Sequence, residues 1–324
     1  MATLLALPVL AACQPAPAAP SPLPEGAGRL WQDAAIFDEV RALIGSSGSG
    51  GHLWIEMYEF GRADLAALLG AARSRGADVR VITDPSVDVS RQTATRLSGE
   101  GIDTRFYPID DKRHQIDHVK LVVAEGTALV GGMNWGQQSS ANHDYALLTR
   151  AGAEVSRLRG IFLQDWSLAG GAPGPLAAAR GPVVQTAPGE EVRALLLAVI
   201  AGARHSIDAQ VYTFTDGDVT TALVAAEHRG VVVRVMVDAS QQVNRPAVQD
   251  LESGDVATRT YTPPGGGLLH AKAGLFDRHV LLLGSANWTR SGLSVNHELD
   301  LETTDSSATA AFATRFEQDW SGAR

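Results

Sequence analysis

Two of the three lysines in the chain follow a histidine by two residues, in His118-Val119-Lys120 and His270-Ala271-Lys272. The third is Lys112, set against 24 arginines. Where arginine carries nearly all the positive charge, a retained lysine suggests a use for a compact ammonium that a guanidinium cannot fill. Each pair opens an apolar run, Leu121 to Ala124 and Ala273 to Phe276, that reads as a strand. Residues i and i+2 of a strand share a face, so each imidazole and its ammonium should point the same way. An imidazole can act as nucleophile or proton donor near neutral pH, and an ammonium can hold an anionic oxygen.

Further along each half a second strand ends in a glycine-rich turn, Gly131-Gly132-Met133-Asn134-Trp135 and Gly284-Ser285-Ala286-Asn287-Trp288. Asn142-His143-Asp144 and Asn296-His297-Glu298 follow. Displacement at a phosphodiester needs a nucleophile, a proton for the leaving oxygen and cations for the nonbridging oxygens. His118 and His270, on opposite sides of one phosphate, could meet the first two needs if one is neutral and the other protonated. Lys120 and Lys272 would hold the phosphoryl oxygens, Asn134 and Asn287 would add amide donors, and Asp144 and Glu298 would orient the imidazoles. The scheme uses no metal and no other cofactor, and the spacing of His, Asp and Glu suggests no metal-ligand cluster. His143 and His297 stay outside the catalytic set. Asp84 and Asp238 read as loop caps at strand ends, and Trp135, Trp166, Trp288 and Trp320 as packing.

These motifs resemble the phospholipase D superfamily, whose signature is H-x-K-x4-D followed by G-[GS]-x-N and a later carboxylate. The second half matches throughout, with His270, Lys272, Asp277, Gly284, Ser285, Asn287 and Glu298. The first half has His118, Lys120, Gly131, Gly132, Asn134 and Asp144, but Glu125 stands where the family has aspartate. The resemblance runs from about Trp31 to Trp320. It implies two lobes, each a mixed sheet flanked by helices, with the active site at their interface. It also implies a phosphohistidine on His118, with His270 as general acid and Glu125, Asp277 and Ser285 in supporting places. Gly-Gly-Met-Asn and Phe162-x-x-Asp165-Trp166 look like the cardiolipin synthase and phospholipase branch. Gly-Ser-Ala-Asn-Trp-Thr and Asn-His-Glu are similar to small nucleases. The expected substrate is a phospholipid, acted on by hydrolysis or phosphatidyl transfer. Nucleic acid is the alternative, and an inactive lipid- or anion-binding protein the second alternative.

The elements that must place these residues come in two copies. At an offset of 154, Tyr58-Glu59-Phe60 aligns with Tyr212-Thr213-Phe214 and Val79-Arg80-Val81 with Val233-Arg234-Val235. Phe162, Gln164, Asp165 and Trp166 align with Phe316, Gln318, Asp319 and Trp320 at the same offset. One register held this far marks a duplicated unit. Leu53 to Phe60 and Ile207 to Phe214 read as strands. Leu65, Leu68, Leu69 and Ala72 have helical spacing, as do Val219, Ala222, Leu223 and Ala226. Asp64 and Asp218 are expected as N-caps, Gly76 and Gly230 as helix stops, and Val79 to Thr83 and Val231 to Val237 as buried strands. Each half is therefore an α/β unit opening with βαβ. The lobes are placed at 29–168 and 190–324, with a Gly-, Pro- and Ala-rich linker at 169–189, and the protein is expected to work as a monomer with an intramolecular lobe pair.

The 324 residues are 45% hydrophobic and 19% charged, which fits globular lobes and excludes wholesale disorder. A formal net charge of −9 disfavours broad nonspecific binding to nucleic acid. The longest apolar stretch, Leu4 to Ala12, is far short of the roughly 18 to 20 residues a spanning helix needs. That stretch ends in Leu10-Ala11-Ala12-Cys13, which resembles a bacterial lipobox, although no Lys or Arg precedes Arg29. Residues 1–12 are thus read as a lipoprotein-type signal, and 13–28 as a lipidated Cys13 with a proline-rich tether. This places the protein on a bacterial envelope membrane, with secretion or the cytoplasm as alternatives. Cys13 is the only cysteine, so neither an intramolecular disulfide nor a cysteine-based zinc site is available.

Overall fold

The computed structural model describes residues 28–172, 181–187 and 189–324. Cys13, the lipobox and nearly all of the tether lie outside them. The first lobe contains β1 (Gly28–Gln32), α1 (Ala35–Ser46), β2 (His52–Met57), α2 (Ala63–Ser74), β3 (Asp78–Thr83), α3 (Asp88–Gly99), β4 (Asp103–Phe106), β5 (Lys120–Ala124), β6 (Thr127–Gly131), β7 (Tyr145–Thr149) and α4 (Gly152–Ala169). The second contains β8 (Val183–Thr186), α5 (Glu191–Gly202), β9 (Ser206–Val211), α6 (Gly217–His228), β10 (Val232–Asp238), α7 (Arg245–Ser253), β11 (Ala257–Tyr261), β12 (Lys272–Phe276), β13 (Val280–Gly284), α8 (Arg290–Ser294), β14 (Glu298–Thr303) and α9 (Ser306–Gly322).

Both sheets have seven strands, in the orders β1-β7-β6-β5-β2-β3-β4 and β8-β14-β13-β12-β9-β10-β11. Each is mixed: β2, β3 and β4 run parallel, as do β9, β10 and β11, and the remaining neighbours pair antiparallel. The duplication read from the sequence is therefore a duplication of topology. The segment 169–189, expected as a linker, contributes β8, which pairs with β14 and completes the second sheet.

Strands covered on both faces read as continuous apolar runs, and β5, β6, β7, β12 and β14 are buried along their whole length. One hydrophobic cluster is shared between the lobes. It joins Leu121, Val123, Val130 and Leu147 to Leu275, Leu281, Leu283 and Leu299, with Phe162 of α4 and Phe312 and Phe316 of α9 packed in. Two further clusters fill the outer faces of the sheets beneath α1–α2 and α5–α7. Trp135 and Trp288 pack edge-on against Phe60 and Phe214, as expected for core residues. Two capping expectations are corrected. Asp216, not Asp218, caps α6 by accepting from the Asp218 and Val219 amides. α2 starts after Arg62 without a side-chain cap, with Asp64 inside its first turn. Gly76 and Gly230 end their helices at φ of 92° and 90°, a conformation that disfavours any side chain.

Candidate active site

His118 and His270 stand two residues before the lysines that begin β5 and β12, where each lobe faces the other. Backbone bonds stitch this seam. The His118 amide donates to His297 O and the His270 amide to His143 O, each at 2.8 Å. One residue earlier, the Asp117 amide donates to Asp84 Oδ2 (2.6 Å) and the Leu269 amide to Asp238 Oδ2 (2.7 Å). Asp84 and Asp238 do cap their loops, accepting from the Ser86 and Ser240 amides. They also tie the ends of β3 and β10 to the residues just before His118 and His270.

Each imidazole is held by the carboxylate of the opposite lobe. His118 Nδ1 lies 2.8 Å from Glu298 Oε2, and His270 Nδ1 lies 2.7 Å from Asp144 Oδ2. With Nδ1 committed, Nε2 is the nitrogen each ring has left for chemistry. Ser285 Oγ (2.6 Å) and Asn296 Nδ2 (3.1 Å) donate to Glu298, which fixes its rotamer. The first lobe has Gly132 where the second has Ser285, and a Cβ there would overlap the Asp144 carboxylate. Asp144 instead accepts from the Tyr145 amide at 2.8 Å.

The ammonium groups sit beside their histidines. Lys120 Nζ donates to His118 O at 2.6 Å, and Lys272 Nζ bonds His270 O and lies 3.1 Å from His270 Nε2. Tyr58 and Tyr212 back the pairs, with ring centroids 4.9 and 4.8 Å from His118 and His270 and 5.0 and 5.4 Å from the Lys120 and Lys272 ammoniums. A cleft of about 630 Å³ opens here, lined by Tyr58, Glu59, His118, Asn134, Tyr212, His270 and Asn287 among others. Asn134 Nδ2 donates to Glu59 Oε2 (3.1 Å), and the Oδ1 atoms of Asn134 and Asn287 are buried without protein partners.

Burial sets the protonation states. It pushes Lys120 down to about 7 and Lys272 to about 8, against the opposing pull of Glu298 and Asp144. His118 falls well below its ordinary value, through burial and then the two ammoniums, and His270 falls to about 4 for the same reasons. Glu298 rises to about 7 because burial outweighs the nearby lysines. Both imidazoles are thus neutral in the empty cleft, and an anion arriving between the lysines would favour protonation of all four groups.

All eight residues assigned catalytic places lie along this seam. The supporting set divides. Ser285 is on Glu298. Asp277 faces away from the cleft and accepts from the Arg204, His205 and Ser206 amides, clamping the start of β9. Glu125 is two-thirds exposed and pairs with His52 Nδ1 at 2.9 Å, a side-chain substitute for that clamp at the start of β2. Cys13 lies outside the described residues.

Sequence reasoning passed over Tyr58, Tyr212 and Glu59, although the duplicated Tyr-x-Phe was their signal. It also left out His143 and His297. Each reaches a buried aspartate near the end of the other lobe's last helix: His143 Nε2 lies 3.0 Å from Asp319 Oδ2, and His297 Nε2 lies 3.2 Å from Asp165 Oδ2. They pin the segments that carry Asp144 and Glu298.

The family profile described as "Cardiolipin synthase, PLD-like domain" matches residues 34–166 and 196–320, one match per lobe. "Probable cardiolipin synthase YwiE" of Bacillus subtilis (strain 168) is 27% identical over 308 residues, covering 83% of this chain and 61% of that protein. "Mitochondrial cardiolipin hydrolase" of Homo sapiens is 31% identical over 133 residues, covering 41% of this chain and 52% of that protein. The chain thus spans only part of the length of these relatives. The crystal structure of phosphatidylserine synthase from Haemophilus influenzae Rd KW20 superposes with a TM-score of 0.69 at 13% identity, covering 93% of this chain and 87% of that one, a likeness of fold. Two matched lobes, two His-Lys pairs and a shared cleft make this chain a member of the phospholipase D-like family whose profile is described as "Cardiolipin synthase, PLD-like domain".

Proposed function

We propose that the protein is a phosphatidyltransferase or phospholipase D that works through a phosphohistidine on His118 without a catalytic metal. The observation that carries this reading is the crossed pairing, in which each histidine is oriented by the other lobe's carboxylate beside one cleft. His118 Nε2 attacks phosphorus, the bond from phosphorus to the leaving alcohol oxygen breaks, and His270 gives that oxygen its proton. His270 then takes a proton from water or an acceptor alcohol, whose oxygen attacks the phosphohistidine and releases His118. Lys120, Lys272 and the amides of Asn134 and Asn287 stabilise the nonbridging oxygens during both transfers. Glu298 holds the nucleophile and Asp144 the acid, keeping Nε2 of each ring on the reaction axis. The empty site presents a neutral nucleophile, and the phosphodiester's own charge raises His270 into its acid form.

The relatives' names, cardiolipin synthase and cardiolipin hydrolase, support a phospholipid substrate. Glu59 at the cleft wall supports it too, since a carboxylate there suits a hydroxyl-bearing headgroup better than a polyanionic strand. A lipidated Cys13 would hold the cleft at a membrane. The test offers phosphatidylglycerol, phosphatidylcholine and single-stranded DNA side by side in EDTA, with and without added glycerol. Headgroup release or exchange is expected. Cleavage of DNA alone would replace the substrate assignment, and activity that EDTA abolishes and a divalent ion restores would refute the mechanism.

A further inference from the structure

The two lobes bury equivalent polar clusters, and their comparison points to a cation. In the second lobe Asp319 is fully satisfied. It accepts from Gln210 Nε2 (2.9 Å), Tyr261 Oη (2.7 Å) and Arg315 Nε (2.9 Å), and faces His143. Gln210 Oε1 in turn accepts from Tyr145 Oη at 2.6 Å. Asp33 bonds both His143 and Arg315, so the positive and negative charges balance.

At the same 154-residue offset, the first lobe puts Glu56 in place of Gln210 and Asp165 in place of Asp319. The equivalent of Leu269, the residue before the catalytic histidine, is Asp117. Glu56, Asp165, Asp117 and His297 are all 0% exposed, and the arginine of the other cluster has no counterpart, because Ile161 stands at the position of Arg315. Three carboxylates face one imidazole. Both Glu56 oxygens and Asp117 Oδ2 are buried without a hydrogen-bond partner. Fully buried carboxylates with no donor need either shared protons or a bound cation to offset their burial.

We propose that Glu56, Asp165 and His297 bind a single divalent cation of the zinc class. Their ligand atoms lie within 4.8 Å of one another. His297 Nε2 is 3.2 Å from Asp165 Oδ2 and 3.6 Å from Glu56 Oε1. Ligand atoms of a tetrahedral zinc site, with bonds of about 2.0 to 2.1 Å, stand about 3.3 Å apart. His297 Nδ1 faces Thr186 O at 3.1 Å, the outer contact that fixes a metal-binding imidazole with Nε2 inward. Tyr107 stacks flat on that ring at 4.5 Å. Asp117 lies beside Glu56 but outside the three converging ligands, which leaves a fourth position for water. One imidazole with two carboxylates, all fully buried, suits zinc; magnesium would keep several waters and calcium would require six or more oxygens. Binding releases any proton on Nε2 and forms three or four ligand bonds, with no redox change. Because His297 comes from the second lobe and the carboxylates from the first, the ion staples the lobes together. None of its ligands lines the catalytic cleft, so it takes no part in the chemistry.

The test uses the full chain purified after growth with and without zinc, its metal content measured after dialysis against EDTA and again on unfolding. Glu56→Gln copies the residue that the second lobe carries at this place and is expected to fold. Expected are about one zinc per chain, released only on unfolding, and a Tm about 5 °C higher for the zinc-replete protein. Glu56→Gln should hold under 0.1 equivalent, and its Tm should not respond to zinc. A wild type with under 0.1 equivalent and the same Tm from both media would overturn the proposal and leave shared protons as the compensating charge. Full occupancy in Glu56→Gln would overturn it equally, by placing the ion elsewhere.

Discussion

Binding a tetrahedral anion should draw protons out of solution, by an amount that follows from the two buried lysines. At pH 7.5, an ammonium whose pKa is about 7 is charged about one-quarter of the time, and one at about 8 about three-quarters. The empty site therefore carries about one positive charge on two lysines. A dianion between them restores both ammoniums and takes up about one proton, with about three-quarters assigned to Lys120 and one-quarter to Lys272. Any protonation of His270 or Glu298 adds to this. Sulfate is the suitable probe, because it does not itself titrate near this pH. The assay is calorimetric titration of sulfate in buffers of different ionisation enthalpy, where the apparent enthalpy should vary with a slope of about one proton. Lys120→Met should remove most of the uptake. Both lysines are depressed by burial, so their charge is lost as pH rises through about 7 to 8. kcat/KM should accordingly show an alkaline limb in that range, and kcat, reporting the occupied site, a limb shifted upward. Enthalpy independent of buffer, with binding intact, would show that burial does not depress the lysines and would refute the reasoning.

The two histidines should separate by leaving group. His118→Ala should abolish acid-labile phosphoenzyme, whereas His270→Ala should lose about 10²- to 10⁴-fold on lipid but recover on a nitrophenyl phosphodiester, as followed by stopped-flow and mass spectrometry. Gly132→Ala should push Asp144 off His270 and reproduce the His270→Ala pattern more weakly, by about 10-fold or more in kcat, with the leaving-group dependence as the readout. Asp277→Ala should cost about 2 kcal/mol by denaturant unfolding, because three amides lose a charged acceptor and φ of 51° at that position disfavours alanine. Its kcat should stay within about twofold of wild type, and Glu125→Ala, at an exposed pair, should change stability by under about 0.5 kcal/mol.

The sequence made the duplication, the sheet-forming runs and the eight seam residues legible, because each rests on a repeated local pattern. His-x-Lys and Gly-x-x-Asn recur at fixed distances, and apolar runs in β5 and β12 follow from burial on both faces. What the local pattern could not carry was partnership across the lobes. Nothing near Asp144 says that it serves His270 rather than His118, since that choice depends on how two sheets 126 residues apart in sequence pack. The capping of α6 was misassigned between Asp216 and Asp218, two acidic residues whose spacing differs by less than a helical turn. The cluster of Glu56, Asp165 and His297 was equally hidden: its members are 109 and 132 residues apart, and a strand, a helix and a loop meet only in the folded chain.

In the proposed mechanism the crossed arrangement makes each histidine depend on the carboxylate of the other lobe. The carboxylate that orients each histidine is preceded by a histidine whose side chain is anchored in the lobe it crosses into, on Asp165 or Asp319. The same two histidines accept, through their carbonyl oxygens, the amide protons of His118 and His270. Backbone, side-chain anchor and orienting carboxylate therefore move as one piece at each crossing. A small shift of one lobe against the other would lengthen both imidazole–carboxylate bonds together, and neither histidine could be misaligned alone. Buried catalytic groups need such stiffness, because at 0–6% exposure they have no water to replace a lost partner. The duplicated fold supplies it by making each lobe part of the other's active site.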